Sequence, residues 1–242
     1  MTQNALNQKF LLANAGIPLL DMKFVNAFAN ISTIGQNDLY TVPAGKRAII
    51  AGLIANGQAS ATATMYFKNS GTYYLAATSV SLTAGTPQNL VTLLPLILEA
   101  GEVLSVNLAG GSGTVNVWPQ IIEYSNLSAL KSVKTLAMAS GNTLCYTCPA
   151  GKTAIITDQE LNFGGISATM FSNTSSSVTS YFQYVPSGQS PGTTFRITNN
   201  VTCSALAASS ASRGPSLGAG DMIYANCNNT FAMCGIFNIV EF

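Results

Sequence analysis

The stretch Leu39-Tyr40-Thr41-Val42-Pro43-Ala44-Gly45-Lys46-Arg47-Ala48-Ile49-Ile50 returns later in the chain as Cys145-Tyr146-Thr147-Cys148-Pro149-Ala150-Gly151-Lys152-Thr153-Ala154-Ile155-Ile156. The offset is 106, from Tyr40 to Tyr146. Ala100-Gly101-Glu102-Val103-Leu104 returns as Ala219-Gly220-Asp221-Met222-Ile223, at offset 119. Ile121-Ile122-Glu123-Tyr124 returns as Ile239-Val240-Glu241-Phe242, at offset 118. Three anchors in one order define a duplicated domain, and self-similarity of this kind decides the architecture before any local reading does. The growth of the offset from 106 to 118 or 119 makes the second copy 12 to 13 residues longer in its middle. The Ser/Thr-rich stretch 172–180 is the expected place for them.

Each copy reads as short strands. Leu104, Val106 and Leu108 alternate with Ser105 and Asn107, the period of two that a half-buried strand requires. The run from Ala48 to Ala55 is apolar on both sides. Strict alternation puts Ile49, Ala51, Leu53 and Ala55 on one face, and Ala48, Ile50, Gly52 and Ile54 on the other. Carrying offset 106 forward sets Gly52 and Ile54 against Asp158 and Glu160, so this face is expected to be covered in copy one and wet in copy two. Val42-Pro43-Ala44-Gly45 has Pro and Gly at the second and fourth places of a type I turn. Frequent turn signals between short strands predict an all-β protein: two tandem jelly-roll-like antiparallel β-sandwiches, over residues 29–125 and 140–242. Residues 1–28 form an extended N-terminal arm carrying Phe10, Leu11, Leu12, Ile17, Leu19 and Leu20. Residues 126–139 form a connector, where Leu127, Leu130, Val133 and Leu136 fall every third position and predict one or two helical turns.

Composition narrows the function. Only 8% of residues are charged, with 10 basic and 9 acidic side chains leaving +1, while 48% are hydrophobic. No basic stripe exists to displace counterions from nucleic acid or to hold an anionic membrane. The start MTQNALNQKF lacks a basic n-region, and no stretch approaches the roughly 18 apolar residues of a membrane helix. A weakly charged, apolar-rich chain suits a subunit packed among neighbours.

No residue type arranges itself for catalysis. Histidine is absent, which removes the commonest general base. Glu123 and Glu241 occupy equivalent positions, so a shared structural role explains them. Gly151-Lys152-Thr153 resembles the tail of a phosphate loop, but Tyr146 stands where that motif needs its first glycine. All five cysteines, Cys145, Cys148, Cys203, Cys227 and Cys234, lie in the second copy. Four of them can be drawn as a zinc set, yet Cys145, Cys148 and Cys227 replace Leu39, Val42 and Leu108, which favours buried filler. An odd count does not read as a secreted disulfide framework, and synthesis in a reducing cytosol is expected. Trp118, the only Trp, aligns with Ile236 and is expected to pack in the core or at a domain interface. The chain is accordingly read as having no catalytic, cofactor-binding or metal site.

The repeated block Tyr-Thr-Val/Cys-Pro-Ala-Gly-Lys-x-Ala-Ile-Ile, followed by Leu-x-Ala-Gly-Glu/Asp, resembles virion structural proteins of tailed bacteriophages built from tandem β-sandwich modules. Val185-Pro186-Ser187-Gly188 fits the same pattern. The resemblance implies a non-enzymatic capsid decoration (cement) protein or related fibre protein. Such a protein is made in the bacterial host cytoplasm and located in the virion. Its partners would be the major capsid protein or other virion proteins, with self-association as a homo-oligomer such as a trimer. It would take no nucleic acid, membrane or cofactor. Phe10, Leu11, Leu12, Ile17, Leu19 and Leu20 of the arm, with Ile54, are the candidate interface. The rival reading is a carbohydrate-binding receptor or fibre module of a phage tail or cell-surface adhesin, with Tyr73, Tyr74, Tyr181 and Tyr184 as stacking candidates.

Overall fold

The computed structural model describes residues 22–242 apart from 78, 91–95, 112, 126–128, 139, 158–164, 173–177, 192–195, 198–200, 204–207, 214–215 and 229–232. The candidate arm residues Phe10, Leu11, Leu12, Ile17, Leu19 and Leu20 lie outside the described residues, as do Asp158 and Glu160. Among the described residues every regular element is a strand, and every pairing is antiparallel. The protein is all-β. It divides into two compact units, with Leu20–Leu127 forming one and the other running from Ser128 to Phe242.

The first unit contains β1 (Lys23–Asn26), β2 (Ala29–Ile31), β3 (Gly35–Thr41), β4 (Lys46–Gly57), β5 (Ala61–Asn69), β6 (Thr72–Leu75), β7 (Val80–Leu82), β8 (Gln88–Leu90), β9 (Leu96–Leu98), β10 (Val103–Ala109) and β11 (Val115–Ser125). One sheet has the order β1-β11-β4-β8, with β2 also on β11 and β9 on β4; the other has β3-β10-β5-β6, with β7 on β5. The second unit contains β12 (Leu130–Met138), β13 (Gly141–Thr147), β14 (Ala154–Thr157), β15 (Gly165–Ser172), β16 (Val178–Val185), β17 (Val201–Cys203), β18 (Ala208–Arg213), β19 (Ser216–Leu217), β20 (Met222–Cys227) and β21 (Met233–Glu241). Its sheets run β18-β15-β21-β14-β19, with β12 on β21, and β13-β20-β16-β17.

The duplication holds at the level of single residues. Ala48, Ile49 and Ile50 face Glu123, Ile122 and Ile121, and Ala154, Ile155 and Ile156 face Glu241, Val240 and Ile239. Tyr40 faces Leu104, and Tyr146 faces Ile223. Each copy also bulges at the residue before that tyrosine, Leu39 in one and Cys145 in the other, where the register shifts. A bulge leaves one residue unpaired and increases local twist, so its recurrence makes it part of the fold's plan.

Three expectations need correction. The connector is not helical: Leu130–Val133 pair with Val240–Phe237, and Leu130 and Val133 are buried. The repeat therefore starts earlier than its identical residues do. Phe24 faces Ile122 as Leu130 faces Val240, and 24 to 130 is again 106. Residues 23–28, read from sequence as arm, thus belong with 29–31 to the first strands of copy one. Backbone pairing with an adjacent edge overrides a three-residue spacing that is shared by weak helices and by loosely patterned strands.

The second correction concerns β4. Its register to β11 shifts at Ala51, between Gly52 opposite Gln120 and Ile50 opposite Ile121. The bulge moves every side chain beyond it to the other face. Ala48, Ile50, Leu53 and Ala55, all buried, therefore share the inner face, and Ile49, Ile54 and Asn56 share the outer one. In copy two the same point is opened: Thr157 faces Asn238, and Ala168 faces the next residue back, Phe237. Most of the extra residues thus lie between Thr157 and Ala168 rather than in 172–180, and β14 and β15 together replace β4. Ile54, opposite Trp118, corresponds to Thr169, opposite Ile236, and not to Glu160.

The third is the Pro-Ala-Gly turn. Lys46 N–H bonds Pro43 O at 3.2 Å and Lys152 N–H bonds Pro149 O at 3.1 Å, with Gly45 and Gly151 at φ +73° and +72°. Glycine is therefore third in a turn that needs positive φ there, which is type II character rather than type I.

Candidate binding surface

Charge is scarce, and the described carboxylates are engaged in building the two copies. Tyr40 Oη donates to Glu123 Oε1 at 2.5 Å, and Tyr146 Oη donates to Glu241 Oε1 at 2.7 Å. Burial and the neighbouring carboxylate push both phenols above their ordinary range. Glu241 also pairs with Lys131. The Ala-Gly-Glu/Asp anchor makes a second shared device. Glu102 Oε2 accepts the N–H of Glu99 at 2.8 Å, and Asp221 Oδ2 accepts that of Gly218 at 2.9 Å, so each carboxylate reaches back over its own turn. Each also reaches across to a neighbouring hairpin: Asn69 Nδ2 donates to Glu102 at 2.7 Å, and Ser187 N–H to Asp221 at 2.9 Å. Burial alone would raise the Asp221 carboxyl, but bonds from Gly218, Ser187 and Tyr184 outweigh it and hold it below the usual carboxylate range. Asp38 is bound by Lys68 at 2.8 Å and Tyr73 at 3.1 Å, and Glu99 by Arg47 at 2.8 Å.

Three of the cysteines occupy apolar positions. Cys148 and Cys227 are buried and Cys145 half-buried, and none of these three is in a disulfide. Burial pushes the Cys145 thiol up to about 11, away from the thiolate that reactivity requires. Register confirms the substitution of Leu108 by Cys227, since Leu108 faces Gly35 as Cys227 faces Gly141.

The tyrosines named as stacking candidates are already in use. Tyr73 bonds Asp38, Tyr74 stacks on Phe67 with centroids 5.3 Å apart, Tyr181 is buried under Arg196, and Tyr184 donates to Asp221 at 3.0 Å. Trp118 reverses its expectation instead. It is 40% exposed, and beside it Phe28, 47% exposed, sits at a centroid distance of 4.9 Å and a tilt of 40°. Directly opposite residues of paired strands share a face, which places half-buried Ile54 on the other side of Trp118 and exposed Asn89 beyond it. Next along β11 is a row of amides, Asn30, Asn116 and Asn56, with Asn30 Nδ2 donating to Asn116 Oδ1 at 2.9 Å. On the opposite side Asn26 faces Gln120, both exposed, and Gln120 Oε1 lies over Gly52. An aromatic strip bordered by amides thus lies at one end of the outer face of the first unit's larger sheet, whose other end holds buried Ile49, Ile122 and Tyr124. A separate open cleft of about 310 Å³ lies between loops of the same unit, lined by Ser32, Thr33, Ile34, Gly110, Gly111 and Gly113 among others.

No family model matches this sequence, and no curated protein does. Solved structures similar to the chain include a conserved protein of unknown function from Pseudomonas aeruginosa (12% identity, 92% of this chain and 83% of that one, TM-score 0.27). The tandem CBM22 domains of Paenibacillus barcinonensis Xyn10C are also similar (8%, 93% and 94%, TM-score 0.26). So is a turret protein of Sulfolobus turreted icosahedral virus (15%, 92% and 99%, TM-score 0.28). At these scores the neighbours carry no functional argument.

The aromatic strip was legible only in part. Trp118 was visible as a lone Trp, but its alignment with Ile236, which is buried, pointed inward. The missing signal was the row of amides at every second residue, Asn116 and Gln120, flanking Trp118 on the same strand face.

Proposed function

We propose that this chain is a non-enzymatic structural protein of a virion, a decoration or cement protein that binds and stabilises the head shell as a homo-oligomer such as a trimer. The observation that supports this most is the use made of its charge: each described carboxylate ties a turn, a tyrosine or a basic side chain. The outer face of the first unit around Trp118 is left uncharged and partly aromatic. Low charge limits repulsion between closely packed copies, and a half-apolar face gains free energy when a neighbour removes it from water.

The attachment clamp is assigned to the N-terminal arm, with its limits redrawn by the fold. Deleting residues 1–21 leaves β1 in place, so the variant should melt like the full chain but rebind poorly to particles stripped of the protein. Deleting 1–28 removes β1 and should cost stability as well. Unchanged decoration by the 1–21 deletion, seen by imaging of particles, would end the clamp assignment. Absence of the protein from purified particles would end the virion reading itself.

A further inference from the structure

The duplication separates what the fold needs from what one copy has added. The Tyr–Glu bonds, the carboxylate-tied turns and the bulges occur in both copies, so the fold accounts for them. The strip on the first unit does not recur. By register, Trp118, Phe28 and Ile54 correspond to Ile236, Lys134 and Thr169, while Asn116 and Asn56 correspond to Cys234 and Phe171. Gln120 has an amide counterpart in Asn238, but the two exposed aromatic rings and the Asn116–Asn56 pair have been placed on a scaffold whose sister builds the same sheet without them.

We propose that Trp118 and Phe28 form a binding site for a neutral saccharide. A pyranose ring presents weakly positive C–H groups on one face, which suit the electron-rich face of an aromatic ring. Its rim carries hydroxyls that both donate and accept. Carboxamides are the side chains that offer both a donor and an acceptor without charge, and they lie on both sides of the rings: Asn30, Asn116 and Asn56 along one edge, Asn26 and Gln120 along the other. Asn56 keeps a buried side-chain oxygen without a hydrogen-bond donor, a group that costs free energy until something supplies one. None of the described residues in these rows is charged, so uronic or sialic acids gain no ion pair here. Ile54, named from sequence as an interface residue, forms the strip's apolar border.

This site does not rest on the virion reading, and its test uses soluble protein without particles. Trp118 is the only Trp, so its emission reports the site directly. Titration with hexasaccharides of glucose, xylose, mannose and N-acetylglucosamine should give saturable change with at least one, unaffected by about 0.5 M salt because no ion pair is involved. By calorimetry, Trp118→Ala should abolish that binding and Gln120→Ala should weaken it about tenfold or less. Both variants should melt like the parent, since both side chains are exposed. Three results overturn the proposal: no response to any neutral hexasaccharide up to about 10 mM, binding that survives Trp118→Ala, or binding confined to a charged oligogalacturonate. Self-association lost with Trp118→Ala, without saccharide binding, would make the strip a contact between copies and overturn it equally.

Discussion

The two copies agree where strands must pair and differ where a strand face meets solvent. In copy one β4 runs unbroken from Lys46 to Gly57, bulging once at Ala51; in copy two the same line is split into β14 and β15. On either side of the break the register against β11 or β21 is the same. A bulge already leaves a residue outside the ladder, so extra residues inserted there disturb no backbone hydrogen bond. The lesson is that a bulge in one copy of a duplicated fold marks where the other copy can grow. Side chains on the outer face carry no such constraint, and there the copies share little: Trp118 against Ile236, Phe28 against Lys134.

The largest effect that can break this comparison is in the core. Phe67 and Tyr184 are equivalent, facing Leu104 and Ile223. Phe67 is fully buried, whereas Tyr184 is half-buried with its hydroxyl on Asp221. Phe67→Ala should cost about 3–5 kcal/mol in denaturant melts, and Tyr184→Ala clearly less. Equal losses would mean the two cores are not built alike.

Next come the Tyr–Glu pairs. Tyr40→Phe and Tyr146→Phe each remove a hydrogen bond to a carboxylate and should cost about 1.5–3 kcal/mol, by similar amounts if the device is the same in both copies. A silent Tyr146→Phe would show that Lys131, whose equivalent position in copy one is Val25, supports Glu241 without the tyrosine.

The copies should also be compared in acid. Asp221 and Glu241 have folded-state carboxyls held below their ordinary values by hydrogen bonds that outweigh burial. Groups depressed in this way add stability above their unfolded pKa and lose it as pH falls through the folded one. Asp221→Asn should therefore be destabilised relative to the parent at neutral pH, with the gap closing as the pH drops below about 4. A gap that stays constant from neutral to acid pH would show that the carboxylate's charge contributes nothing.

The smallest effect is on the outer face. Ile54→Thr installs the residue that copy two carries at the equivalent position and should cost about 1 kcal/mol or less, since Ile54 is only half-buried. A loss of several kcal/mol would show that the outer face of copy one is core after all.

By itself the sequence determined the strand class and the duplication. Tyr40, Pro43, Gly45, Glu102 and Glu123 return because each performs a local task tied to its chemistry: a phenol for a carboxylate, a positive φ, a carboxylate over its own turn. Residues 23–29 and 129–135 pair alike but share no such task, so only their backbone ladders reveal them, and the spacing of Leu127, Leu130 and Val133 suggested helix instead. The bulge at Ala51 was equally hidden, because a run of Ala, Ile, Gly and Leu has the same hydrophobicity on both faces and cannot fix its own phase. That phase was decided by pairing with β11, and with it the side on which Trp118, Phe28 and Ile54 meet. Residues from two strands and the β1–β2 link become one surface only when the sheet forms, because the register that joins them belongs to hydrogen bonds between strands and not to any one segment of chain.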